Sequence, residues 1–436
     1  MAIIRDVMPA FDLLQPTSAA DAQKLLQEHG DDAWIMAGGL DSFDWLKDRI
    51  KKPKVLVDLS GIDELKGIRT TSEGVEIGAM TTLTEIATNP TIKSQYGVTN
   101  FIADAWSPPA FMKTNDSAIN GGTLCGVPGA ICKSGDWRQA YADYLVQYAK
   151  DYAAAGVPLS YVGPENETTI APPQDSMIMS PEQTADFMGI LGATLARSGL
   201  STRAECCASI SWNYAQQFAA AIKTDKAANT ATALFTSHGY FVAPGSPLRG
   251  WSKPVWETEW APFGFQPWDP AWDDGSLSSG FTWAQNIYTG LTAANLGAFL
   301  YLWGASTSGL TGPNTGLVEV NGNTVATSGR LWAFASYSRF IRPGAVRIGT
   351  TTSATGLEVA AFRNSNGSIA VIVLNKSHSR QVATFSLRGL GAAHVTPYLT
   401  DTSHQLSAQS PITVTDSAFT ATRPPRALVT YDMRGR

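Results

Sequence analysis

The order of apolar and polar positions divides the chain into regions of different character. In the first hundred residues, charged segments with helical spacing alternate with short apolar runs. The segment from Ser18 to His29 predicts a helix that ends at Gly30, and residues 41–50 predict a second amphipathic helix. Strands are predicted by the apolar runs at 34–37, 54–59 and 74–80.

From about residue 101, each short apolar run is followed by a polar loop and a helical segment, such as 137–155 or 181–197. Alternating strands and helices over this length predict an α/β protein, and their spacing fits a (β/α)8 TIM-type barrel. This part of the chain supplies six of the eight strands that a closed barrel needs. The six predicted strands are 101–106, 157–162, 203–208, 233–237, 254–259 and 298–303.

The pattern changes again after Arg342-Pro343-Gly344. Short alternating segments such as LEVAAFRN, IAVIVLNK and ALVTYDM follow one another without helices between them. This arrangement predicts a C-terminal β-sandwich. We therefore divide the chain into 1–100, an α/β segment; 101–340, a (β/α) barrel region; and 341–436, a β-sandwich side domain.

Composition excludes several classes of partner. Charged residues make up 16% of the chain, the net charge is −5, and no long basic run is present, so nucleic acid is not an expected partner. No apolar run reaches the length that crosses a bilayer, so a membrane is not expected either. The first sixteen residues lack the basic and apolar regions of a signal peptide.

The cysteines and the glycosylation sequons bear on whether the protein is secreted, and they do not indicate a catalytic or metal site. Cys125 and Cys132 are near enough in sequence to close a small disulfide loop, whereas the state of Cys206 and Cys207 stays open. Without a C-x-x-C pair, neither a structural zinc nor another metal site is expected. Sequons beginning at Asn115, Asn366 and Asn375 favour secretion, while the missing signal peptide points the other way.

Two glutamates stand at the ends of predicted strands. PLSYVGPENE ends at Glu167, and KPVWETE ends at Glu259. Barrel enzymes place their chemistry at the C-terminal ends of the strands, and glycoside hydrolysis needs two carboxyl groups. The alternative is that both are ordinary glutamates at the start of loops.

Aromatic residues lie at or just after the same strand ends. Sugar rings have apolar faces that stack on such side chains, although a barrel also uses tryptophan as core. The residues concerned are Trp106, Trp212, Tyr240, Trp256, Trp260 and Trp303.

Several motifs resemble glycoside hydrolase family 30, most closely its fungal xylanase-like branch. The motifs are WSPPAFMKTN (106–115), GDWRQAYADYLVQY (135–148), PLSYVGPENE (158–167), SHGY (237–240), VWETEW (255–260) and YSRFIRPGAVRI (337–348). The resemblance covers about 101–436. It implies a (β/α)8 barrel with a β-sandwich side domain and retaining hydrolysis of β-linked sugars by two glutamates. It also implies a monomeric, extracellular enzyme that acts on a polysaccharide without a cofactor.

Within this resemblance, Glu167 matches the acid/base and Glu259 matches the nucleophile, whereas Glu165 and Glu257 are set aside. The family usually has proline after the acid, and Thr168 in its place leaves the loop freer. The residues expected to bind substrate are Trp106, Asn166, Trp212, His238, Tyr240, Trp260 and Trp303.

The first hundred residues resemble a different family, the FAD-binding subunit of molybdenum hydroxylases of the carbon-monoxide and xanthine dehydrogenase type. The likeness runs to about 88–96. It includes a glycine loop, Ala37-Gly38-Gly39 with Ser42, whose backbone N–H groups would hold the FAD pyrophosphate. A second such loop is absent, since we regard the likeness of Asn120–Leu124 as chance, and FAD is not expected to bind. The chain therefore resembles a chimera joined near 97–105, in which the βαβ segment 34–58 replaces the first barrel strands.

These observations favour a retaining endo-β-glycanase that acts on xylan. A β-1,6-galactanase or β-1,6-glucanase of the same family is the nearest alternative. An inactive or carbohydrate-binding scaffold and an FAD-binding oxidoreductase subunit also stay open.

Overall fold

The computed structural model describes residues 8–38, 40–47, 49, 51–71, 74–92, 100–262, 267–307, 315–322, 324–389 and 394–433. The chain divides into two compact units. The first contains residues 1–99 and 152–158, and the second contains residues 100–151 and 159–436.

The first unit is built on a small parallel sheet with the strand order β1-β3-β2. Helix α1 is capped by the Ser18 hydroxyl, which accepts from the Asp21 N–H, and it ends at Gly30, as the sequence predicts. Its residue Ala22 packs with Val55 and Val57 in the core of this unit. The elements are β1 (Asp12–Leu14), α1 (Ala19–His29), β2 (Ala33–Met36), α2 (Leu40–Lys47), β3 (Val55–Asp58), β4 (Ile68–Thr71), β5 (Gly74–Ile77) and α3 (Leu83–Thr88).

The three strands predicted in this region are confirmed as β2, β3 and β5. β3 pairs with β1 on one side and with β2 on the other, both in parallel. In the described residues, β2 and β3 belong with β1 to this three-stranded sheet, and neither is paired with a strand of the six-stranded parallel sheet. Their predicted role as the first two barrel strands is therefore not confirmed.

The second unit contains a six-stranded parallel sheet whose strands follow one another in chain order. All six predicted barrel strands are found. A parallel sheet in chain order, with a helix after most strands, is the arrangement of a β/α barrel. The strands are β6 (Ile102–Asp104), β7 (Tyr161–Gly163), β8 (Arg203–Ser209), β9 (Thr232–His238), β10 (Val255–Glu259) and β11 (Ala298–Phe299).

The helices of this region follow from capping and from apolar spacing. The helix predicted at 181–197 is capped by Ser180, whose hydroxyl accepts from the Gln183 N–H while the Gln183 side chain accepts from the Ser180 N–H. Pro181 occupies the first turn, where its missing N–H costs nothing. The helices are α4 (Arg138–Ala154), α5 (Pro181–Arg197), α6 (Trp212–Thr224), α7 (Lys226–Ala231) and α8 (Gly280–Thr292).

The C-terminal part of the second unit is a β-sandwich, as predicted. Its main sheet has the order β15-β16-β17-β23-β19-β20, and β18 pairs with β22 in a second sheet. Phe385 and Phe419 stack at 4.7 Å between ring centroids and pack on Tyr431. The elements between β11 and the sandwich are β12 (Ala305–Thr307), β13 (Val318–Asn321), β14 (Thr324–Thr327) and α9 (Gly329–Ser338). The elements of the sandwich are β15 (Val346–Ile348), β16 (Leu357–Arg363), β17 (Ile369–Asn375), β18 (Gln381–Ser386), β19 (His394–Thr400), β20 (Ser407–Ala408), β21 (Ile412–Thr413), β22 (Ala418–Arg423) and β23 (Ala427–Met433).

Among the described residues, no helix combines the length and the apolar character that crossing a membrane requires.

Candidate active site

The two predicted catalytic carboxylates meet at the C-terminal ends of the parallel strands. Glu167 lies in the turn after β7, and Glu259 is the last residue of β10. A carboxylate oxygen of each residue and a ring nitrogen of His238 all lie within 4.8 Å of one another. Both glutamates are partly exposed, so a ligand has access to them.

Glu167 is held by both its side chain and its backbone. Its Oε1 lies 2.9 Å from Nδ1 of His238, the last residue of β9, whose side chain is 2% exposed. Its N–H donates to the Ala208 carbonyl at 3.0 Å. Glu167 has a φ of 50°, in the left-handed region that a residue with a side chain adopts only when its surroundings fix it there.

The turn that contains Glu167 is well ordered even though Thr168 replaces the expected proline. Thr168 is buried, and its carbonyl accepts from the Met179 N–H at 3.2 Å. At the start of the turn, the Tyr141 hydroxyl donates to the Pro164 carbonyl at 2.6 Å. These bonds restrict the turn in the way that a proline ring would.

Glu259 has a different partner. The Tyr240 hydroxyl donates to Oε1 of Glu259 at 2.7 Å, and the Tyr240 ring meets the His238 ring edge-on at 5.8 Å. Burial and then the charge of Glu259 raise the pKa of Tyr240, so its phenol stays protonated and remains a donor.

The neighbouring acids Glu165 and Glu257 are fully buried and do not reach the cleft. Burial raises the pKa of Glu165 to about 8, and the Thr184 hydroxyl donates to its Oε2 at 2.7 Å. Burial also raises the pKa of Glu257 well above its usual range. Burial therefore favours the neutral form of both side chains, which agrees with setting them aside.

Two of the predicted aromatic residues face solvent and two do not. Trp106 and Trp303 are each 44% exposed, and Asn166 is half-buried beside Glu167. Trp212, in contrast, is 3% exposed in the hydrophobic core, and its indole N–H donates to the Ser246 carbonyl. This corrects the expectation that Trp212 binds substrate, because its ring is used for packing.

Trp260 is also mainly a packing residue. It is 9% exposed, its ring lies 5.0 Å from Trp283, and a Cβ on Gly239 would collide with it. Its predicted contact with substrate is corrected for the same reason as that of Trp212. Sequence position after a strand end does not distinguish an exposed aromatic residue, which could stack on a sugar ring, from one that packs in the core.

Sequence reasoning missed two residues of this region. Glu205 lies within the buried strand β8, and its side chain is 1% exposed. A signal was present, since an acid inside the apolar run RAECCAS requires a buried partner. Phe241 is 78% exposed immediately after Tyr240, next to the SHGY motif.

All four cysteines form disulfides. Cys125 and Cys132, which the sequence allows to close a small loop, are bonded to each other, and their loop exposes Ile131. The second disulfide joins the adjacent residues Cys206 and Cys207 in β8, a pairing that the sequence did not predict.

The glycine loop expected to hold an FAD pyrophosphate is only partly within the described residues. Gly38 adopts a φ of 80° after β2, but Gly39 lies outside the described residues and so does the side chain of Ser42. In the loop 120–124, the N–H of Gly121 donates to the Ser176 hydroxyl and that of Thr123 donates to the Thr114 hydroxyl. These two N–H groups have partners within the protein, and the expectation that FAD does not bind stays a prediction.

Comparison with known proteins agrees with this geometry. Residues 91–243 match the sequence profile of O-Glycosyl hydrolase family 30, and residues 344–431 match the Glycosyl hydrolase family 30 beta sandwich domain. The catalytic domain of GH30 xylanase C from Talaromyces cellulolyticus is 32% identical, with 98% of each chain covered and a TM-score of 0.73. The chain belongs to glycoside hydrolase family 30. It is thus a glycoside hydrolase whose barrel and β-sandwich have solved counterparts.

The N-terminal region matches a second family. Residues 9–154 match the FAD binding domain in molybdopterin dehydrogenase, farther than the expected limit of 88–96 and overlapping the family 30 match. The carbon monoxide dehydrogenase medium chain of Hydrogenophaga pseudoflava is 32% identical over 123 residues, 28% of this chain and 42% of that protein. The lysosomal acid glucosylceramidase of Mus musculus is 25% identical over 313 residues, 67% of this chain and 59% of that enzyme. The chain therefore spans less than two thirds of each of these two curated relatives.

Proposed function

We propose that this family 30 enzyme is a retaining endo-β-xylanase, with Glu259 as nucleophile and Glu167 as acid/base. One observation carries the proposal. One oxygen from each of two partly exposed carboxylates lies within 4.8 Å of the other at the strand ends, and each carboxylate has its own hydrogen-bond partner, His238 for Glu167 and Tyr240 for Glu259. Carboxyl groups of retaining enzymes are about 5–5.5 Å apart, whereas those of inverting enzymes are about 6.5–9.5 Å apart to admit a water.

The chemistry is a double displacement. Glu167 donates its proton to the glycosidic oxygen as that oxygen leaves with the bonding electron pair, and a Glu259 oxygen forms a bond to the anomeric carbon. Glu167, now ionised, takes a proton from water, whose oxygen attacks the anomeric carbon from the face opposite Glu259, so that the bond to Glu259 breaks and Glu259 leaves as a carboxylate. The net configuration is retained.

The two hydrogen-bond partners have separate tasks in this scheme. Tyr240 donates to Glu259, which orients the oxygen pair and stabilises its negative charge before attack. His238 fixes the Glu167 side chain through Nδ1 and is itself buried, so the acid is pre-organised.

Xylan is the proposed substrate for two reasons. The solved relative with 32% identity is described as a xylanase. In addition, Trp106 and Trp303 offer exposed indole faces on the loops after β6 and β11, which suit stacking by sugar rings. Because a polysaccharide is the substrate, we also propose that the enzyme works outside the cell, and as a monomer.

The test combines a substrate panel with product stereochemistry. The full chain is incubated with glucuronoxylan, a β-1,6-glucan and a β-1,6-galactan, and released reducing ends are measured. Proton NMR at early times then identifies the first anomer of the xylan product. Xylan cleavage with a β-anomer first is expected. Cleavage of only a 1,6-linked polymer, an α-anomer first, or no turnover of any polymer would contradict the proposal, and in the last case binding without turnover would indicate a scaffold.

A further inference from the structure

A chain of hydrogen bonds leads from a buried acid in the barrel floor to the backbone of Glu167. The Thr236 hydroxyl in β9 donates to Oε2 of Glu205 in β8. The same hydroxyl oxygen accepts from the Ala208 N–H at 2.9 Å, and the Ala208 carbonyl accepts from the Glu167 N–H at 3.0 Å. We call these four residues, Glu205, Thr236, Ala208 and Glu167, the floor relay.

The direction of the floor relay is fixed. A threonine hydroxyl has a single hydrogen, and donation to Glu205 leaves its lone pairs for the Ala208 N–H. Glu205 and Thr236 are each 1% exposed, so neither has water as a replacement partner. Glu205 also has a hydrogen bond with Asp104, but loss of the Thr236 hydroxyl would leave the buried N–H of Ala208 without this acceptor, which is costly.

The strand geometry explains why Ala208 needs such support. The pairing of β8 with β9 shifts register between Cys206 and Ser209, and Ala208 has a φ of 43°. Glu167, which Ala208 contacts, is also in the left-handed region at 50°. Two residues of unfavourable backbone conformation, distant in sequence, are thus joined by one hydrogen bond, and Thr236 binds the N–H of Ala208 in this pair.

Space for Glu205 is provided by a glycine. A Cβ on Gly163, the last residue of β7, would collide with Oε1 of Glu205 and lie 2.5 Å from Oδ1 of Asp104. The carboxyl groups of Glu205 and Asp104 therefore lie beside Gly163, where β7 has no side chain.

We propose that Glu205 and Thr236 are positioning residues for the acid/base, acting on Glu167 through the main chain of Ala208. This inference rests on the proposed role of Glu167. Neither residue touches the reacting atoms in this scheme. They set the direction from which Glu167 delivers its proton.

The molecule contains a matched control. Thr184 and Glu165 form a second bond between a buried threonine hydroxyl and a buried glutamate, at 2.7 Å, with both residues 0% exposed. Thr184 lies in α5 and is not part of the floor relay. Removal of the Thr184 hydroxyl breaks a bond between a threonine and a buried glutamate, as Thr236→Val does, but it leaves the bond from Ala208 to Thr236 in place.

The experiment uses aryl β-xylobiosides whose phenol leaving groups range from strongly to weakly acidic. Strongly acidic phenols leave without a proton, whereas weakly acidic ones need Glu167. The variants are Thr236→Val, Thr236→Ser, Thr184→Val, Gly163→Ala and, as the reference for a lost acid, Glu167→Gln. Melting temperature and both kinetic parameters, kcat and KM, are recorded for each variant in the full chain.

Thr236→Val is expected to lower kcat/KM, which reports the first step alone, roughly ten- to hundredfold for the weakly acidic phenols and little for the strongly acidic ones, because a small misplacement of the acid has an effect of this order. Gly163→Ala should show the same signature, and Thr236→Ser should restore wild-type behaviour. Thr184→Val should lower the melting temperature without any dependence on the leaving group.

Equal losses for all phenols in Thr236→Val, or the same leaving-group signature in Thr184→Val, would show a merely structural role and overturn the proposal. If Glu167→Gln itself lacks the signature, the acid/base assignment fails first. That outcome is separate from a failure of the floor relay, in which Glu167→Gln has the signature and Thr236→Val does not.

Discussion

Four glutamates lie in two layers at one end of the parallel sheet, and the layers differ in environment rather than in residue type. Glu167 and Glu259 form the outer layer, partly exposed, with His238 and Tyr240 as partners. Glu165 and Glu257 form the inner layer, each two positions earlier in the chain and fully buried. The difference teaches that a shift of two residues at a strand end is enough to separate a partly exposed carboxylate from a buried one in which burial favours the neutral form.

The two layers are separated by a break in strand regularity. Strict alternation would place Glu257 and Glu259 on the same face of β10. The pairing of β10 with β9 shifts register between these two residues. This irregularity turns Glu259 toward the cleft while Glu257 stays inside, as bulges near active sites commonly do.

The largest expected effect comes from comparing Glu259→Gln with Glu257→Gln. Removal of the nucleophile should lower kcat on xylan by at least roughly a thousandfold, since the covalent step has no substitute. Burial favours the neutral form of Glu257, which the amide of the inner variant resembles, so the kcat of this variant should stay within about threefold of wild type. An equal loss of kcat in the two variants would contradict the different roles that we propose for Glu259 and Glu257.

The corresponding pair at β7 is Glu167→Gln and Glu165→Gln. The outer variant should lose about 10²- to 10⁴-fold on xylan, the usual contribution of general acid catalysis, and much less on activated aryl glycosides. Glu165→Gln keeps an acceptor for Thr184 and should retain most activity on both kinds of substrate. Kinetics on the two substrate types check this, and a uniform loss in Glu167→Gln would refute the acid role.

A smaller effect is expected when only a partner in the outer layer is changed. Tyr240→Phe removes the hydroxyl that donates to Glu259 at 2.7 Å and keeps the ring. A hydrogen bond to a charged group contributes about 1.5–3 kcal/mol, so kcat should fall roughly tenfold or somewhat more. Substitution of the half-buried Tyr288, whose hydroxyl donates to the Val359 carbonyl, by Phe is the control and should leave kcat unchanged.

The smallest effect concerns stability, and it reports on the inner layer alone. The pKa of Glu165 is raised from its ordinary value of 4.5 to about 8, so the folded state binds this proton more tightly than the unfolded state. Its contribution to the free energy of unfolding is therefore fully present below pH 4.5 and is lost as the pH rises to about 8.

Denaturant unfolding of wild type and Glu165→Gln across this pH range measures that loss. The free energy of unfolding should fall less steeply with rising pH in the variant than in wild type. The difference between the two slopes should be up to about 1.4 kcal/mol per pH unit, the value for one proton. Identical slopes would mean that Glu165 is ionised in the folded protein, contrary to the comparison of layers.

The helices and strands that the sequence predicted well are those with a regular spacing of apolar residues. Helix α5 begins and ends where Ser180, Pro181 and the apolar spacing indicate, because capping and amphipathic patterns are local properties. The six parallel strands and the β-sandwich follow for the same reason. The positions of Glu167 and Glu259 were predictable from the strand ends together with the family resemblance.

What could not be predicted depends on contacts between distant residues. Trp106 and Trp212 both lie near strand ends in sequence, yet one is 44% and the other 3% exposed. Their environments are set by which helices and loops pack over them. The register shift beside Glu259 and the bond from Thr236 to Glu205 likewise arise between neighbouring strands and have no local signature.

Gly163 has a consequence for how such sequences diverge. Its missing side chain and the carboxyl group of Glu205 occupy the same space, so the two positions are not free to vary independently. Among descendants of this chain, a larger residue at 163 should be inherited only together with a shorter one at 205. The order of the two changes would then be fixed, because the residue at 205 must shorten before the one at 163 can grow.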